Sequence, residues 1–148
     1  IEFKKALNIL IKKGMKSLIL DLRFNGGGYL HQAINVADEF LKKNKLIVYT
    51  EGAHSKKRTF FSRSEGLFEN GKLIILVNSS TASASEIVSG AIQDNDRGLI
   101  LGRRTFGKGL VQQPLLLPDS SELRITTSRY YTPSGESIQG KGRKGQFS

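Results

Sequence analysis

Cysteine is absent from the 148 residues, which removes disulfides, thiolate nucleophiles and zinc–thiolate sites together. It assigns no compartment, since exported bacterial proteins often lack cysteine as well. No apolar run approaches the 18 residues of a membrane-spanning helix. The start, Ile1-Glu2-Phe3-Lys4-Lys5, is charged and amphipathic where a secretory signal needs an apolar core. Methionine is missing from position 1, which suggests a fragment or a processed product. Only two histidines occur, His31 and His54, and no H-E-x-x-H or calcium-loop pattern appears, so no metal site is expected. What the chain has in excess is positive charge: 23 Lys and Arg against 13 Asp and Glu, a net +10. Such a balance raises a nucleic-acid or acidic-lipid partner. The basic residues are scattered, however, in small clusters such as Lys56-Lys57-Arg58 and Lys141 to Lys144. No aromatic-rich RNA-binding signature accompanies them. A solvated basic surface is the preferred reading, with no nucleic-acid partner expected.

At 38% hydrophobic and 24% charged, the composition is that of a globular domain. The length suits one such domain with a real core. Phe3, Ala6, Leu7, Leu10 and Ile11 recur at helical spacing and stop before Gly14. Ser17 to Leu22 reads as a buried strand, broken by Asn25-Gly26-Gly27-Gly28. Leu30, Ala33, Ile34, Ala37, Phe40 and Leu41 mark a second helix, and Lys45 to Thr50 a strand. Residues 52–71 are polar and irregular, with a short hairpin strand around Thr59 to Phe61. Leu73 to Val77 is a strand, Ala84 to Asp94 a helix, and Leu99 to Leu101 a short strand. Leu110 to Leu117 and Glu122 to Thr127 flank the turn Pro118-Asp119-Ser120. In the second of these, Leu123, Ile125 and Thr127 alternate as in a half-buried strand. The tail from Thr132 reads as loop. Strands alternating with helices, then a late antiparallel portion, give an α/β layered fold without repeats.

Chemistry concentrates in two segments. Ser83 lies in Thr81-Ala82-Ser83-Ala84-Ser85-Glu86, between a strand and a helix, and Lys108 follows in Thr105-Phe106-Gly107-Lys108-Gly109. A serine hydroxyl is a weak nucleophile until a base takes its proton, and a neutral lysine amine is one such base. Ser83 with Glu86 is also a capping box, and the two roles are compatible. A serine at a strand-to-helix turn is exposed, and the amide of Ala84 beside it is placed to stabilise an oxyanion. Gly26-Gly27-Gly28 is either a tight turn or a bare backbone approaching a substrate oxygen. Gly27 would supply a second oxyanion donor if that turn lies beside Ser83. A dinucleotide fingerprint fails, because its third glycine position falls on His31. Gly102 to Gly109 imitates a phosphate-binding loop, but Gly109 replaces the magnesium-holding Ser or Thr, and a strand-like run follows. Nucleotide hydrolysis is therefore disfavoured. A lysine with an ordinary pKa of ~10.4 is neutral in only about 0.04% of molecules at pH 7. A lysine base must therefore be taken out of water, and Phe106 and Leu110 are expected to bury Lys108. Gln112 is well placed as a neutral orienting group, because Lys108, Leu110 and Gln112 share one face of a strand. A histidine triad through His31 is a weaker alternative. Asp94, Asp96 and Asp21 read as salt-bridge members.

The segments Ser17 to Gly28, Leu76 to Asp94, Gly102 to Gln113 and Ser128 to Gly142 together resemble the carboxy-terminal processing peptidases, the tail-specific serine–lysine proteases. The resemblance implies Ser83 as nucleophile, Lys108 as general base and Gln112 as the glutamine that orients the lysine. It implies Gly27 and Ala84 as oxyanion donors, with Glu86 and Asp94 as acidic supports. It implies a fold like that of the crotonases and Clp proteases, α/β with ββα units. Activity would be cleavage of proteins near their C-termini through an acyl-enzyme, with no cofactor and no metal. Partners would be protein or peptide substrates bound through their C-terminal region, with self-association also open. The location would be exported: periplasmic or cell-envelope associated in a bacterium. Members usually carry a PDZ domain and an N-terminal helical segment before the core. This chain shows neither, and 52–71 is not read as a PDZ domain. Residues 1–148 are accordingly expected to be the peptidase catalytic core alone. The competing expectation is a non-catalytic peptide-binding or assembly fragment.

Overall fold

The computed structural model describes residues 2–140; the cluster Lys141 to Lys144 lies outside them. The chain runs α1 (Glu2–Lys12), β1 (Ser17–Asp21), α2 (Leu30–Asp38), β2 (Leu46–Gly52), β3 (Ser55–Phe61) and β4 (Lys72–Val77). It continues with α3 (Ala84–Asp94), β5 (Leu99–Gly102), β6 (Leu110–Leu116) and β7 (Glu122–Tyr131). The fold is α/β, as expected. A parallel three-stranded sheet has the order β1-β4-β5, and an antiparallel four-stranded sheet the order β3-β2-β7-β6.

The core lies where α2 and α3 pack together against the sheets. Leu73, Ile75 and Val77 of β4 face it, as do Ile47 and Val48 of β2 and Ala91 and Ile92 of α3, each fully or nearly fully buried. Alternate residues on the other face of the parallel sheet are open, with Ile19 and Leu99 both 63% exposed. Phe40 and Leu41 are buried but follow α2, which ends at Asp38. Their spacing on the helical period reports burial in a turn, which continues the apolar face without continuing the helix. That turn is locked by Arg97, whose guanidinium donates to the carbonyls of Phe40 (2.8 Å), Phe68 (2.5 Å) and Gly71 (2.8 Å).

Two sequence expectations shift. β3 covers Ser55–Phe61 instead of three residues, because Lys56, Lys57 and Arg58 extend an edge strand whose charges hide its periodicity. β7 runs on to Tyr131, and its distal part is not half-buried. Leu123 and Ile125 are 48% and 43% exposed, because β2 pairs with β7 only over residues 129–131. The β6–β7 hairpin therefore projects beyond the body of the sheet.

Candidate active site

Parallel pairing of β1, β4 and β5 has one consequence that dominates the site. The segments following all three strands emerge at the same end of the sheet, which is where α/β sheets place their ligands. These segments are the glycine turn after β1, the Asn78 to Ser83 turn after β4, and the Arg103 to Gly109 loop after β5. Hydrogen bonds lace the first two together. Ala82 N donates to the Asn25 carbonyl (3.0 Å) and Thr81 Oγ1 to the Leu22 carbonyl (2.8 Å). Asn78 Oδ1 accepts from the amides of Phe24 and Ser80, both at 3.1 Å. The third segment joins through Phe106 N, which donates to the Thr81 carbonyl at 2.9 Å. Asn25, Asn78 and Thr81 were not singled out in the sequence. Their signal was present, as Asx and Thr residues in the turns that follow strands, where side-chain oxygens replace missing backbone partners.

Ser83 stands at the start of α3 with φ 56° and ψ −118°, a backbone conformation that non-glycine residues rarely adopt. A capping box spans Ser83 and Glu86, with the Ser83 amide donating to Glu86 Oε2 at 2.8 Å. The serine hydroxyl faces the Glu86 amide but makes no capping hydrogen bond of normal geometry. Glu86 does more than cap. It is buried, and its Oε1 accepts from Gly107 N (2.7 Å) while Oε2 also accepts from Lys108 N (2.8 Å). A single carboxylate thus holds the backbone of Ser83 and the backbone of Lys108 on one oxygen.

The glycine turn sits against this elbow. At Gly27, with φ 91°, an added Cβ would lie 2.5 Å from the Ala82 carbonyl oxygen, 2.7 Å from Ala84 N and 2.9 Å from Ser83 Cβ. Only glycine fits there, for both conformation and space. Gly27→Ala is expected to destabilise the fold by about 3 kcal/mol and to reduce any serine-dependent turnover by at least about 100-fold, read by urea unfolding and by turnover of an ester substrate. Of the two expected oxyanion donors, Ala84 N–H has no acceptor among the described residues, as the first residue of a helix should not. Gly27 N–H is engaged by Asn25 Oδ1 at 2.9 Å.

Side chains diverge from expectation more than backbones do. Lys108 is exposed, and Phe106 is 66% exposed. The expected apolar burial of Lys108 is not formed, because the loop is anchored through its amides and leaves its side chains outward. Gln112 is also exposed; it lies on β6 opposite Thr126, next to the register shift that leaves Thr127 unpaired. Asp94 ends α3, about 16 Å along the helix from Ser83, and its Oδ2 accepts from Ser134 N at 2.9 Å. It fastens the loop after β7 and does not touch the serine. His31 stacks on Tyr29, with ring centroids 5.5 Å apart, and His54 lies in the β2–β3 turn. Among the described residues neither bonds to Ser83, which leaves the histidine triad without support. Gly109, in the phosphate-loop imitation, leads into a strand and not a helix. Asp21 clasps Arg23 at the mouth of the glycine turn, and the guanidinium's hydrogen bonds lower its carboxyl pKa to about 2.

Beside the elbow, between α2 and α3, lies a mainly apolar cavity of about 150 Å³ lined by Gly27, Tyr29, Ala33, Val36, Ala84 and Val88 among others. The chain has relatives among known proteins. A carboxy-terminal-processing protease of Bartonella bacilliformis is 45% identical over 128 residues, 86% of this chain and 30% of the relative. A chloroplastic C-terminal processing peptidase of Tetradesmus obliquus is 38% identical over 135 residues, 91% of this chain and 29% of the relative. The solved structure of a photosystem II D1 C-terminal processing protease superposes with TM-score 0.86 at 38% identity, over 92% of this chain and 35% of that one. The chain therefore spans about a third of the length of these relatives. The family description "Peptidase family S41" matches residues 1–146, and the chain belongs to that family.

Proposed function

We propose that this chain is the catalytic core of a serine endopeptidase that cleaves polypeptides near their C-termini. The observation that carries the reading is the Glu86 carboxylate, which holds the Ser83 and Lys108 amides on one oxygen. Family membership and the names of the relatives above agree with it. Ser83 Oγ attacks the scissile carbonyl carbon while Lys108 Nζ, exposed in the free chain and neutral only once bound substrate excludes water from it, takes its proton. The C–N bond then breaks as that proton passes to the leaving amine, giving an acyl-enzyme. Water, deprotonated by Lys108 Nζ, then attacks the acyl carbon, and the acyl group leaves as an acid while the proton returns from Lys108 to Ser83 Oγ. The oxyanion is held by Ala84 N–H at the positive end of α3 and by Gly27 N–H, once Asn25 Oδ1 yields it. Gln112 orients the lysine. The apolar cavity accepts one apolar side chain next to the scissile bond. An exported location, in a bacterial envelope, goes with this reading.

One observation favours the second reading, a peptide-binding fragment: the Lys108 side chain is exposed. Labelling with a fluorophosphonate separates the two. Stoichiometric modification mapped to Ser83, lost in Ser83→Ala and slowed at least about 100-fold in Lys108→Ala, is the expected result. No labelling at Ser83 under conditions where the protein is folded would leave only the binding role.

A further inference from the structure

The two edges of the antiparallel sheet are treated differently. β3, at one edge, carries Lys56, Lys57 and Arg58, the charges that commonly keep an edge from pairing. β6, at the other, reads Leu-Val-Gln-Gln-Pro-Leu-Leu without a charge, although it is largely exposed. The direction of its backbone groups follows from two bonds. Tyr130 N donates to the Gly109 carbonyl (2.8 Å) and Leu117 N to the Ser121 carbonyl (2.9 Å). In an antiparallel ladder alternate residues face the partner strand. Residues 109, 111, 113, 115 and 117 therefore face β7, with the extra residue of the register shift on β7 and not on β6. Leu110, Gln112 and Pro114 turn their backbone groups outward. β7 lies on the other side, and among the described residues no further strand pairs with β6 on this one. Pro114, which has no N–H, occupies an outward slot, where it costs no bond to β7. The open edge thus has a defined extent: N–H and C=O at Leu110 and at Gln112, and only C=O at Pro114.

This edge begins two residues after Lys108, whose amide shares Glu86 with Ser83. We infer that the outer edge of β6, Leu110 to Pro114, is where an extended polypeptide substrate docks as an added strand, its backbone bonded to Leu110 and Gln112 and its scissile bond delivered to Ser83. That the added strand is a substrate rests on the peptidase reading; that the edge takes an extended peptide does not. Backbone bonding holds a segment whatever its side chains, and leaves side-chain choice to the cavity between α2 and α3. A strand seated there also displaces water from one flank of Lys108, which the chain's own apolar residues leave exposed.

The test measures binding apart from turnover. A fluorescent peptide and versions N-methylated at successive backbone nitrogens are titrated against the Ser83→Ala protein by anisotropy. Methylation at alternate positions is expected to raise Kd about 5- to 10-fold per position, with the intervening positions unaffected. Leu110→Pro removes an outward N–H and is expected to weaken binding by a similar factor. Pro114→Val adds one and is expected to tighten binding of long peptides about 3- to 10-fold. Uniform or absent N-methyl effects overturn the inference. So does a Pro114→Val protein whose only change is self-association in sedimentation, since a second copy would then be the occupant. If the alternation appears but a fluorophosphonate does not label Ser83, the docking edge stands and the peptidase reading falls.

Discussion

Replacing Ser83 by alanine is expected to lower peptide cleavage by about 10⁴-fold or more, and replacing it by glycine is expected to do the same while making the protein more stable. The first half follows from the nucleophile assignment. The second follows from the backbone. At φ 56° and ψ −118°, Ser83 holds a conformation that is readily available only to glycine, at a cost of about 1–3 kcal/mol. Glycine at a helix N-cap loses only a few tenths of a kcal/mol relative to serine. Ser83→Gly should therefore gain about 1–2 kcal/mol, visible as a higher urea midpoint, with Ser83→Ala gaining nothing because alanine keeps the Cβ. Gly27 packs against the backbone of the buried neighbours Ala82 and Ala84 and against Ser83 Cβ. The backbone strain thus falls on the residue that needs to project a hydroxyl. Cleavage by Ser83→Ala above about 1% of the original rate would remove Ser83 as nucleophile. A Ser83→Gly protein less stable than the original would remove the argument that the elbow stores strain.

Local order was legible wherever a segment's own residues determine it. α3 was readable as Ala84 to Asp94 because Ser83 and Glu86 announce its start and the apolar run Ile87, Val88, Ala91, Ile92 lines one face. The strands of the parallel sheet were readable as short apolar runs. The strand pairing was not. Nothing in Ser17 to Leu22 or Leu73 to Val77 states that they are neighbours, and that adjacency is what brings Gly27 to within contact of Ser83. Family resemblance supplied the expectation that they meet; the geometry supplied the reason. Lys108 shows the opposite failure. Its side chain was expected to be buried because a lysine base needs burial, but the fold secures its amide and leaves the amine exposed. Composition could not distinguish these, since Phe106 and Leu110 look the same in a sequence whether they cover the lysine or face away. Leu123 and Ile125 erred for a similar reason: alternation identifies a face, and only the reach of β2 decides whether that face is covered.

Altering Glu86 should also have large consequences, although it touches no substrate. Its two oxygens accept from Ser83 N, Gly107 N and Lys108 N, so both are committed. In Glu86→Gln one oxygen becomes an NH₂, which cannot accept. Turned one way, it faces Gly107 N–H; turned the other, it faces Ser83 and Lys108 N–H together. In either rotamer a buried donor meets a donor, at a cost of about 1–3 kcal/mol for each group left unsatisfied. Glu86→Gln is therefore expected to lose about 3 kcal/mol in urea unfolding and to slow fluorophosphonate labelling of Ser83 by at least about 100-fold. A structural role alone predicts only the first effect, so the labelling rate is read at a temperature and urea concentration where the variant is fully folded. Glu86→Asp, which keeps two acceptors but shortens the reach by one methylene, should recover part of the labelling rate and so separates position from charge. Labelling at the original rate by a folded Glu86→Gln protein would mean that Ser83 and Lys108 find each other without the carboxylate between their backbones, and the organisation of the site described here would be wrong.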